Sequence, residues 1–334
     1  MKKLMNDPFS IVTESIDGFV LTNRGKVHRV EDLNVVVKNV VPTEKKAAVL
    51  IGGGSGHEPL FLEFVGQGMA DCAVVGNVFA SPSVDMVYEG IKAVHCGEGV
   101  LMIYGNYQGD IINFEMAQDM ARMEDIRVET VRVWDDVASA PADNKEERRG
   151  TSADLLVIKV AGAASDKGWS FDEVLRITKK ARDNCRSIGV SLSSCTLPAT
   201  DKPIFELNED EMYLGMGVHG EPGIRRIPFT TAKETAKIMT DEIFADDLDL
   251  SEGSEIVMVV NGYGSTTSLE LNVMSLAFHK LMQERGIQVY GAITGSLCTS
   301  LEMSGVSLTV MKLDDELKAM YDAPAVSPGY SKAD

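Results

Sequence analysis

The stretch that decides the fold is Gly52-Gly53-Gly54-Ser55-Gly56-His57-Glu58-Pro59. It follows residues 47–51, an apolar run with the length and composition of a buried β-strand. Consecutive glycines allow a sharp turn and a close approach of the backbone to a ligand, so that amide N–H groups can act as donors. We therefore expect a strand, a glycine turn carrying His57, and a helix that begins within residues 59–64.

A second turn of the same kind supports a layered α/β fold. The apolar run at residues 100–104 leads into Gly105-Asn106-Tyr107-Gln108-Gly109-Asp110. Apolar side chains then recur at roughly helical spacing, at Ile112, Met116, Met120 and Met123. Strands that alternate with helices predict mainly parallel sheets flanked by helices, with ligand sites at the carboxyl ends of the strands. Further strands are predicted at residues 128–133, 255–260, 288–291 and 308–313, and a further helix at residues 268–284.

The length of 334 residues favours two domains. We predict an α/β domain over residues 1–190, which carries the two glycine turns, and a second α/β domain over residues 191–334. The polar stretch at residues 139–154 has no apolar period, and we interpret it as an exposed loop of the first domain.

The net charge of the chain limits the classes of partner that it can bind. The chain has 32 Lys and Arg against 50 Asp and Glu, a formal charge of −18. Nucleic acid and anionic membrane surfaces are disfavoured, because both need a basic surface. The five cysteines form no Cys-x-x-Cys pair, which is typical of reduced thiols in the cytoplasm. We expect no signal peptide and no membrane span, since the apolar runs are far shorter than the roughly 20 residues that a bilayer requires.

A third run, Met216-Gly217-Val218-His219-Gly220-Glu221-Pro222-Gly223, predicts a shaped loop around an accessible imidazole. Each candidate residue also has a structural interpretation: a lone histidine is often only hydrogen-bonded, and Asp110 would suit a helix N-cap. The presence of two histidine loops in one chain favours a catalytic interpretation over a structural one. Two neutral imidazoles (His57, His219) and one carboxylate (Asp110) would suit a carbonyl substrate, as nucleophile, acid or base, and orienting anion.

The glycine runs do not match nucleotide-binding loops. In Gly-x-Gly-x-x-Gly the third glycine would fall on His57 or Pro59, and Gly-x-x-x-x-Gly-Lys-Ser/Thr does not occur in the chain. The histidines have no metal-ligand spacing, so we expect no metal site.

Together these stretches resemble the dihydroxyacetone kinase family, in particular its ketose-binding K subunit. The resemblance extends from residue 1 to about residue 324. The matching motifs are Gly-Gly-Gly-Ser-Gly-His-Glu-Pro at residues 52–59, Asn-Tyr-x-Gly-Asp-x-x-Asn-Phe at residues 106–114, Gly-Val-His-Gly-Glu-Pro-Gly at residues 217–223 and Cys-Thr-Ser-Leu-x-Met-x-Gly at residues 298–305.

This resemblance implies a homodimer in which His219 binds the C2 carbonyl of dihydroxyacetone as a covalent hemiaminal. It implies that His57 and Asp110 are the acid/base pair. The groups that hold the substrate would be Gly54, Ser55, Gly56, Ser81 and Gly105. It also implies that this chain holds no cofactor, and that ATP or ADP with Mg²⁺ lies on a separate L-type subunit. If the nucleotide is ADP, an M-type subunit of the phosphotransferase system would rephosphorylate it.

One position departs from the family pattern. Members that act on dihydroxyacetone commonly carry Lys where this chain has Gly105. The smaller residue is expected to leave room for a longer ketose such as erythrulose, or to mark a ketose-sensing co-activator without turnover. Because Asp110 is needed for phosphoryl transfer but not for capture, its presence favours the kinase subunit.

Overall fold

The computed structural model describes residues 2–40 and 45–333 of the chain. The α-helices are α1 (Ile11–Thr22), α2 (Val84–Val94), α3 (Gln108–Met123), α4 (Asp154–Asp166), α5 (Phe171–Asp183), α6 (Ala232–Phe244), α7 (Ser268–Glu284) and α8 (Asp315–Asp322). The strands are β1 (Val27–Arg29), β2 (Val35–Lys38), β3 (Ala48–Ser55), β4 (Cys72–Val78), β5 (Val100–Gly105), β6 (Val128–Val133), β7 (Cys185–Ser193), β8 (Glu211–Leu214), β9 (Arg225–Pro228), β10 (Glu255–Gly262), β11 (Gln288–Gly295), β12 (Ser304–Lys312), β13 (Ala325–Val326) and β14 (Ser331–Lys332).

The chain divides into two compact units. The first unit comprises Met1–Val133, Asp154–Ala181 and Leu317–Asp334, and the second comprises Trp134–Ala153 and Arg182–Glu316. This division differs from a single boundary at residue 190, which would lie inside β7. Residues 134–153 belong to the second unit and residues 317–334 to the first, and local composition does not reveal this because distant pairing fixes both segments. The Val137 amide donates to the Ser187 carbonyl, and the Val326 amide donates to the Gln67 carbonyl.

The first unit contains a six-stranded sheet of order β1-β2-β4-β3-β5-β6. Strands β4, β3, β5 and β6 are parallel, and the hairpin of β1 and β2 extends the sheet in antiparallel fashion. Every residue of β3 and β5 is buried, as expected for central parallel strands covered on both faces. The predicted strands at residues 47–51, 100–104 and 128–133 are confirmed.

The second unit contains another six-stranded sheet, of order β11-β10-β12-β7-β8-β9. Only β10 and β11 are parallel, and the other pairs are antiparallel. The expectation of a mainly parallel sheet is therefore wrong for this unit. The crossover helix α7 joins the parallel pair, whereas β8 and β9 follow β7 as a meander, which needs no crossover helix. The predicted helix at residues 268–284 is confirmed, and it begins with a capping box between Thr267 and Glu270.

Two local predictions need correction. Residues 59–64 form no α-helix: they include a 3-10 helix at Leu62–Phe64, and their apolar side chains are buried at consecutive positions, so they lack the alternation of an amphipathic helix. Helix α3 forms as predicted, but the apolar positions that suggested it lie outward. Ile112, Met116 and Met123 are 49%, 53% and 84% exposed, while Phe114 faces the core. No helix within the described part of the chain is long and apolar enough to cross a membrane.

Candidate functional site

The glycine run continues strand β3 and turns later than predicted. Gly52, Gly53 and Gly54 all lie within β3, and the left-handed conformation appears only at Gly56, with φ of +101°. What requires glycine inside the strand is close packing. A Cβ atom on Gly53 would lie 2.5 Å from the ring of Phe61, and one on Gly54 would lie 2.9 Å from the backbone nitrogen of Ala80. The run therefore brings neighbouring backbone and rings against β3.

His57 lies at the end of this run and is only 4% exposed. Its ring stacks on the ring of Phe79, with centroids 5.0 Å apart and an interplanar angle of 20°. The following carboxylate, Glu58, accepts from the amide of Gly56 with both oxygens at 3.1 Å. Burial raises the pKa of Glu58 although these amide bonds oppose the shift. The hydroxyl of Ser55 donates to the Gly76 carbonyl at 2.7 Å, so its hydrogen is used within the fold.

Asp110 lies in the first turn of α3 and is 8% exposed. The N-cap residue is Tyr107, so Asp110 is the third residue of the helix and not its cap. A carboxylate in this turn is stabilised by the positive end of the helix dipole.

Ser81 is positioned by the same helix. A Cβ atom on Gly109 would lie 3.5 Å from the Ser81 Cβ, and Asn113 donates to the Pro82 carbonyl at 2.8 Å. The chain just before Ser81 is the Phe79–Ala80 backbone that packs on Gly54. The first unit thus brings together the predicted residues Gly54, Ser81 and Asp110 through direct packing of their neighbours.

Gly105 ends strand β5, and the space beside it is smaller than the room for a longer ketose that the sequence suggested. A Cβ atom there would lie 3.1 Å from the Tyr107 ring and 3.7 Å from a carboxylate oxygen of Asp154. The room expected from the small residue is thus partly filled by an aromatic ring. Asp154, the first residue of α4, is a neighbour that the sequence analysis did not identify.

The second unit carries His219 in a tight loop. The His219 side chain is 23% exposed, and its Nδ1 lies 2.8 Å from Oε1 of Glu221. The other oxygen of Glu221 accepts from the His219 backbone amide at 3.0 Å. Burial opposes ionisation of Glu221, but the hydrogen bond and charge of His219 outweigh burial and lower the pKa of Glu221 to about 2. Glu221 was not among the predicted site residues, although its spacing of two residues from the histidine is visible in the sequence.

Arg149 and Asp136 hold the base of this loop. The Arg149 guanidinium donates to the carbonyls of Gly215 at 2.9 Å and Pro222 at 3.3 Å, on either side of His219. Asp136 accepts from the same guanidinium at 2.7 Å. Burial raises the pKa of Asp136 to about 6, and the charge of Arg149 limits that rise. Arg149 falls in the stretch interpreted from sequence as an exposed loop of the first domain, which belongs to the second unit, and Asp136 was not singled out, so their role was missed.

The loop at residues 298–303 supports the histidine loop from another direction. The Ser300 hydroxyl donates to the carbonyl of Val218, the residue before His219, and the Ser300 amide donates to the Tyr263 carbonyl at 2.8 Å. Asn261 fixes the start of this loop by accepting from the Cys298 amide at 2.9 Å. Among the residues that the structure describes, no three His, Cys, Asp or Glu side chains are grouped so that they could hold a metal ion.

Fold and motifs together define the class of this protein. The family model described as Dak1 domain matches residues 17–329, and the chain therefore belongs to that family. It is 42% identical over 338 residues to "PTS-dependent dihydroxyacetone kinase 2, dihydroxyacetone-binding subunit DhaK" of Listeria innocua, covering all of both chains. It is 39% identical over 335 residues to L-erythrulose kinase of Pectobacterium atrosepticum, covering 99% of this chain and 56% of that protein.

Solved structures agree with this assignment. The dihydroxyacetone kinase of C. freundii superposes with a TM-score of 0.90 at 32% identity, over 99% of this chain and 60% of that chain. A dihydroxyacetone kinase operon co-activator superposes equally well, with a TM-score of 0.90 at 29% identity, over 96% of this chain and 98% of that chain. The predicted fold class and family are thereby confirmed.

Proposed function

We propose that this chain is the dihydroxyacetone-binding subunit of a dihydroxyacetone kinase. The observation that carries the proposal is the His219–Glu221 pair, in a partly exposed loop held on several sides. With Nδ1 bound to the carboxylate, Nε2 is the nitrogen that would attack the C2 carbonyl of the ketose. Capture selects by chemistry, because glycerol has no carbonyl to attack. The end-to-end similarity to a dihydroxyacetone-binding subunit supports the same assignment.

We assign the remaining predicted residues as follows. His57 and Asp110 form the acid/base pair, and Asp110 removes the proton from the terminal hydroxyl as that oxygen attacks phosphorus. The substrate is held by the hydroxyl of Ser81 and by the backbone of Gly54, Ser55, Gly56 and Gly105. The burial of His57 and Asp110 supports these roles, since desolvated groups exchange protons within the site instead of with bulk water.

Phosphoryl transfer also requires a nucleotide, which we place on a separate L-type subunit as ATP, or as ADP rephosphorylated by an M-type subunit, in either case with Mg²⁺. The exposed face of α3 supports a partner at this helix. Ile112 and Met116 follow Asp110 on the same helix and are about half exposed. Both lie on the face of α3 opposite to Asp110, where a partner that packs along this helix would cover them. We further propose a cytoplasmic homodimer.

A longer ketose is the second candidate substrate. The similarity to an L-erythrulose kinase favours it, and so does Asp154, whose carboxylate lies near Gly105 where an additional hydroxyl would find an acceptor. The Tyr107 ring beside Gly105 opposes it, because the ring takes up part of the space. A co-activator function is the other alternative, and Asp110 argues against it because capture alone does not need that carboxylate.

The test is capture followed by turnover. Intact-mass analysis under native conditions should show the chain gaining the mass of one dihydroxyacetone, with no gain from glycerol and none in His219→Ala. Phosphorylation should require an added L-type subunit, and comparing dihydroxyacetone with erythrulose in that assay identifies the substrate. Turnover by the isolated chain with ATP would contradict the divided enzyme, and capture without turnover by any L-type subunit would favour the co-activator.

A further inference from the structure

The two oxygens of the Glu221 carboxylate hold His219 at two points. One oxygen contacts Nδ1 of the ring and the other accepts from the backbone amide of the same residue. The Gly217 amide in turn donates to the backbone carbonyl of Glu221 at 3.0 Å, which closes the loop around the pair. This arrangement fixes both the ring and the backbone that carries it, and it selects one hydrogen-bonding state of the ring.

A carboxylate can only accept, so the nitrogen facing it must carry the hydrogen. The neutral ring then has its hydrogen on Nδ1 and its lone pair on Nε2. If the opposite tautomer formed, a lone pair would face the oxygen of the carboxylate at 2.8 Å, which is repulsive. Glu221 therefore favours the tautomer in which Nε2 is the nucleophile.

The same carboxylate suits the change of charge during capture. The Nε2 lone pair forms a bond to the carbonyl carbon, and the π electrons of the C=O bond move to oxygen, which leaves an imidazolium and an alkoxide. The alkoxide takes up a proton and the Nδ1 hydrogen departs, so the neutral hemiaminal forms with no net gain or loss of protons. A carboxylate at 2.8 Å from Nδ1 stabilises the imidazolium and accepts its departing proton.

Two further charged groups lie at this loop, Arg149 and Asp136. Arg149 reaches the loop beside Gly217, where a Cβ atom would lie 2.1 Å from a Glu221 oxygen and 2.6 Å from Nη1 of Arg149. Behind Arg149 lies Asp136, which accepts from its guanidinium. Neutral groups also contact the loop: the Ser300 hydroxyl on the Val218 carbonyl, and the side chain of Ile204 against Gly220.

We propose that Glu221 is the positioning residue of the capture reaction: it sets the tautomer of His219 and receives the Nδ1 proton as the hemiaminal forms. The inference rests on the proposed function, because it requires His219 to be the nucleophile. Ser300 has a different part in the same loop, since its hydroxyl holds the Val218 carbonyl in the backbone next to His219. It therefore supplies the control for a purely structural effect.

The experiment measures the rate of adduct formation with dihydroxyacetone across pH, in the wild-type chain, Glu221→Gln, Glu221→Asp and Ser300→Ala. Glutamine keeps the shape and an acceptor but removes the charge, so E221Q should form the adduct about tenfold more slowly at neutral pH, as expected when a charged hydrogen bond becomes a neutral one. The acid limb of its pH profile should also move to lower pH, because a protonated ring is no longer stabilised by a negative charge. E221D, which keeps the charge, should retain the wild-type acid limb, and S300A should keep the profile whatever its rate.

Nitrogen NMR of the imidazole provides a readout independent of rate, and it should show hydrogen on Nδ1 in the wild-type chain. An E221Q variant with the rate and pH profile of the wild type, or a wild-type ring with hydrogen on Nε2, would overturn the inference while leaving capture intact. If the wild-type chain forms no adduct, the proposed function fails and the role of Glu221 fails with it. If E221Q proves unstable, the nitrogen spectrum of the wild-type chain still decides, since hydrogen on Nδ1 is required by the inference and hydrogen on Nε2 refutes it.

Discussion

The replacement of Gly54 by alanine tests whether close packing, not turning, is what the glycine run provides. The added Cβ would lie 2.9 Å from the Ala80 nitrogen and 3.1 Å from the Phe79 Cα, both backbone atoms that cannot rotate away. Ordinary contacts of this kind are about 3.4 to 4 Å, so the 79–80 segment must shift by about half an ångström. Overpacking of a close-packed interior costs about 1 to 3 kcal/mol.

The shift also reaches the functional residues. Phe79 stacks on His57, and the chain leads directly from Ala80 to Ser81. We therefore expect Gly54→Ala to lower the free energy of unfolding by about 1 to 3 kcal/mol and to reduce turnover with an L-type subunit. Urea unfolding followed by circular dichroism measures the first effect, with the wild-type chain run in parallel.

Gly109→Ala is the matched control, because its Cβ would meet only the Ser81 Cβ, at an ordinary 3.5 Å. Gly109 lies in the first turn of α3, where alanine should be neutral or stabilise the helix by up to about 1 kcal/mol. If Gly54→Ala were as stable as Gly109→Ala, the packing argument for the glycine run would be refuted.

Three further predictions address stability, partner binding and pH. Asp71 bridges the buried amines of Lys38 and Lys46, and Asp166 also contacts both amines, so Asp71→Asn leaves part of their charge compensated and should lower the free energy of unfolding in urea by about 1.5 to 3 kcal/mol. A loss below about 0.5 kcal/mol would contradict a role of Asp71 in stability. Met116→Glu should reduce turnover at limiting L-type subunit by at least tenfold and leave adduct formation unchanged, whereas equal loss of both would indicate misfolding instead of lost docking. The pKa of Glu221 is lowered to about 2, so its ionised form contributes stability that is fully present above a pH of about 4.5 and lost as the pH falls towards 2. The difference in unfolding free energy between the wild-type chain and Glu221→Gln should therefore shrink over that range, and a constant difference would count against the ion pair.

Short-range features of this chain could be predicted from sequence, and long-range ones could not. Strands β3, β5 and β6 followed from apolar runs, and α7 follows from a capping box that lies within four residues. The position of Arg149 depends on pairing between segments far apart along the chain, which a polar stretch does not reveal. The face of α3 was misjudged for a related reason: the helical period places Met116 and Phe114 on different faces, but only the neighbouring strands decide which face is covered.

The two histidine loops look alike in sequence, but the glutamate directly follows the histidine in one and is separated from it by one residue in the other. In His57-Glu58 the carboxylate immediately follows the ring-bearing residue and turns back to the Gly56 amide. In His219-Gly220-Glu221 the intervening glycine, with φ of +85°, lets the carboxylate reach Nδ1 of the imidazole. A ring whose Nδ1 hydrogen is held by a carboxylate presents a basic Nε2 and can stabilise the positive charge of an attacking nitrogen, which suits His219 to covalent capture. The His57 ring is buried against Phe79, and its burial suits it to proton exchange with a substrate already bound. The different roles proposed for the two histidines thus follow from the carboxylate that holds Nδ1 of His219 and from the burial of the His57 ring.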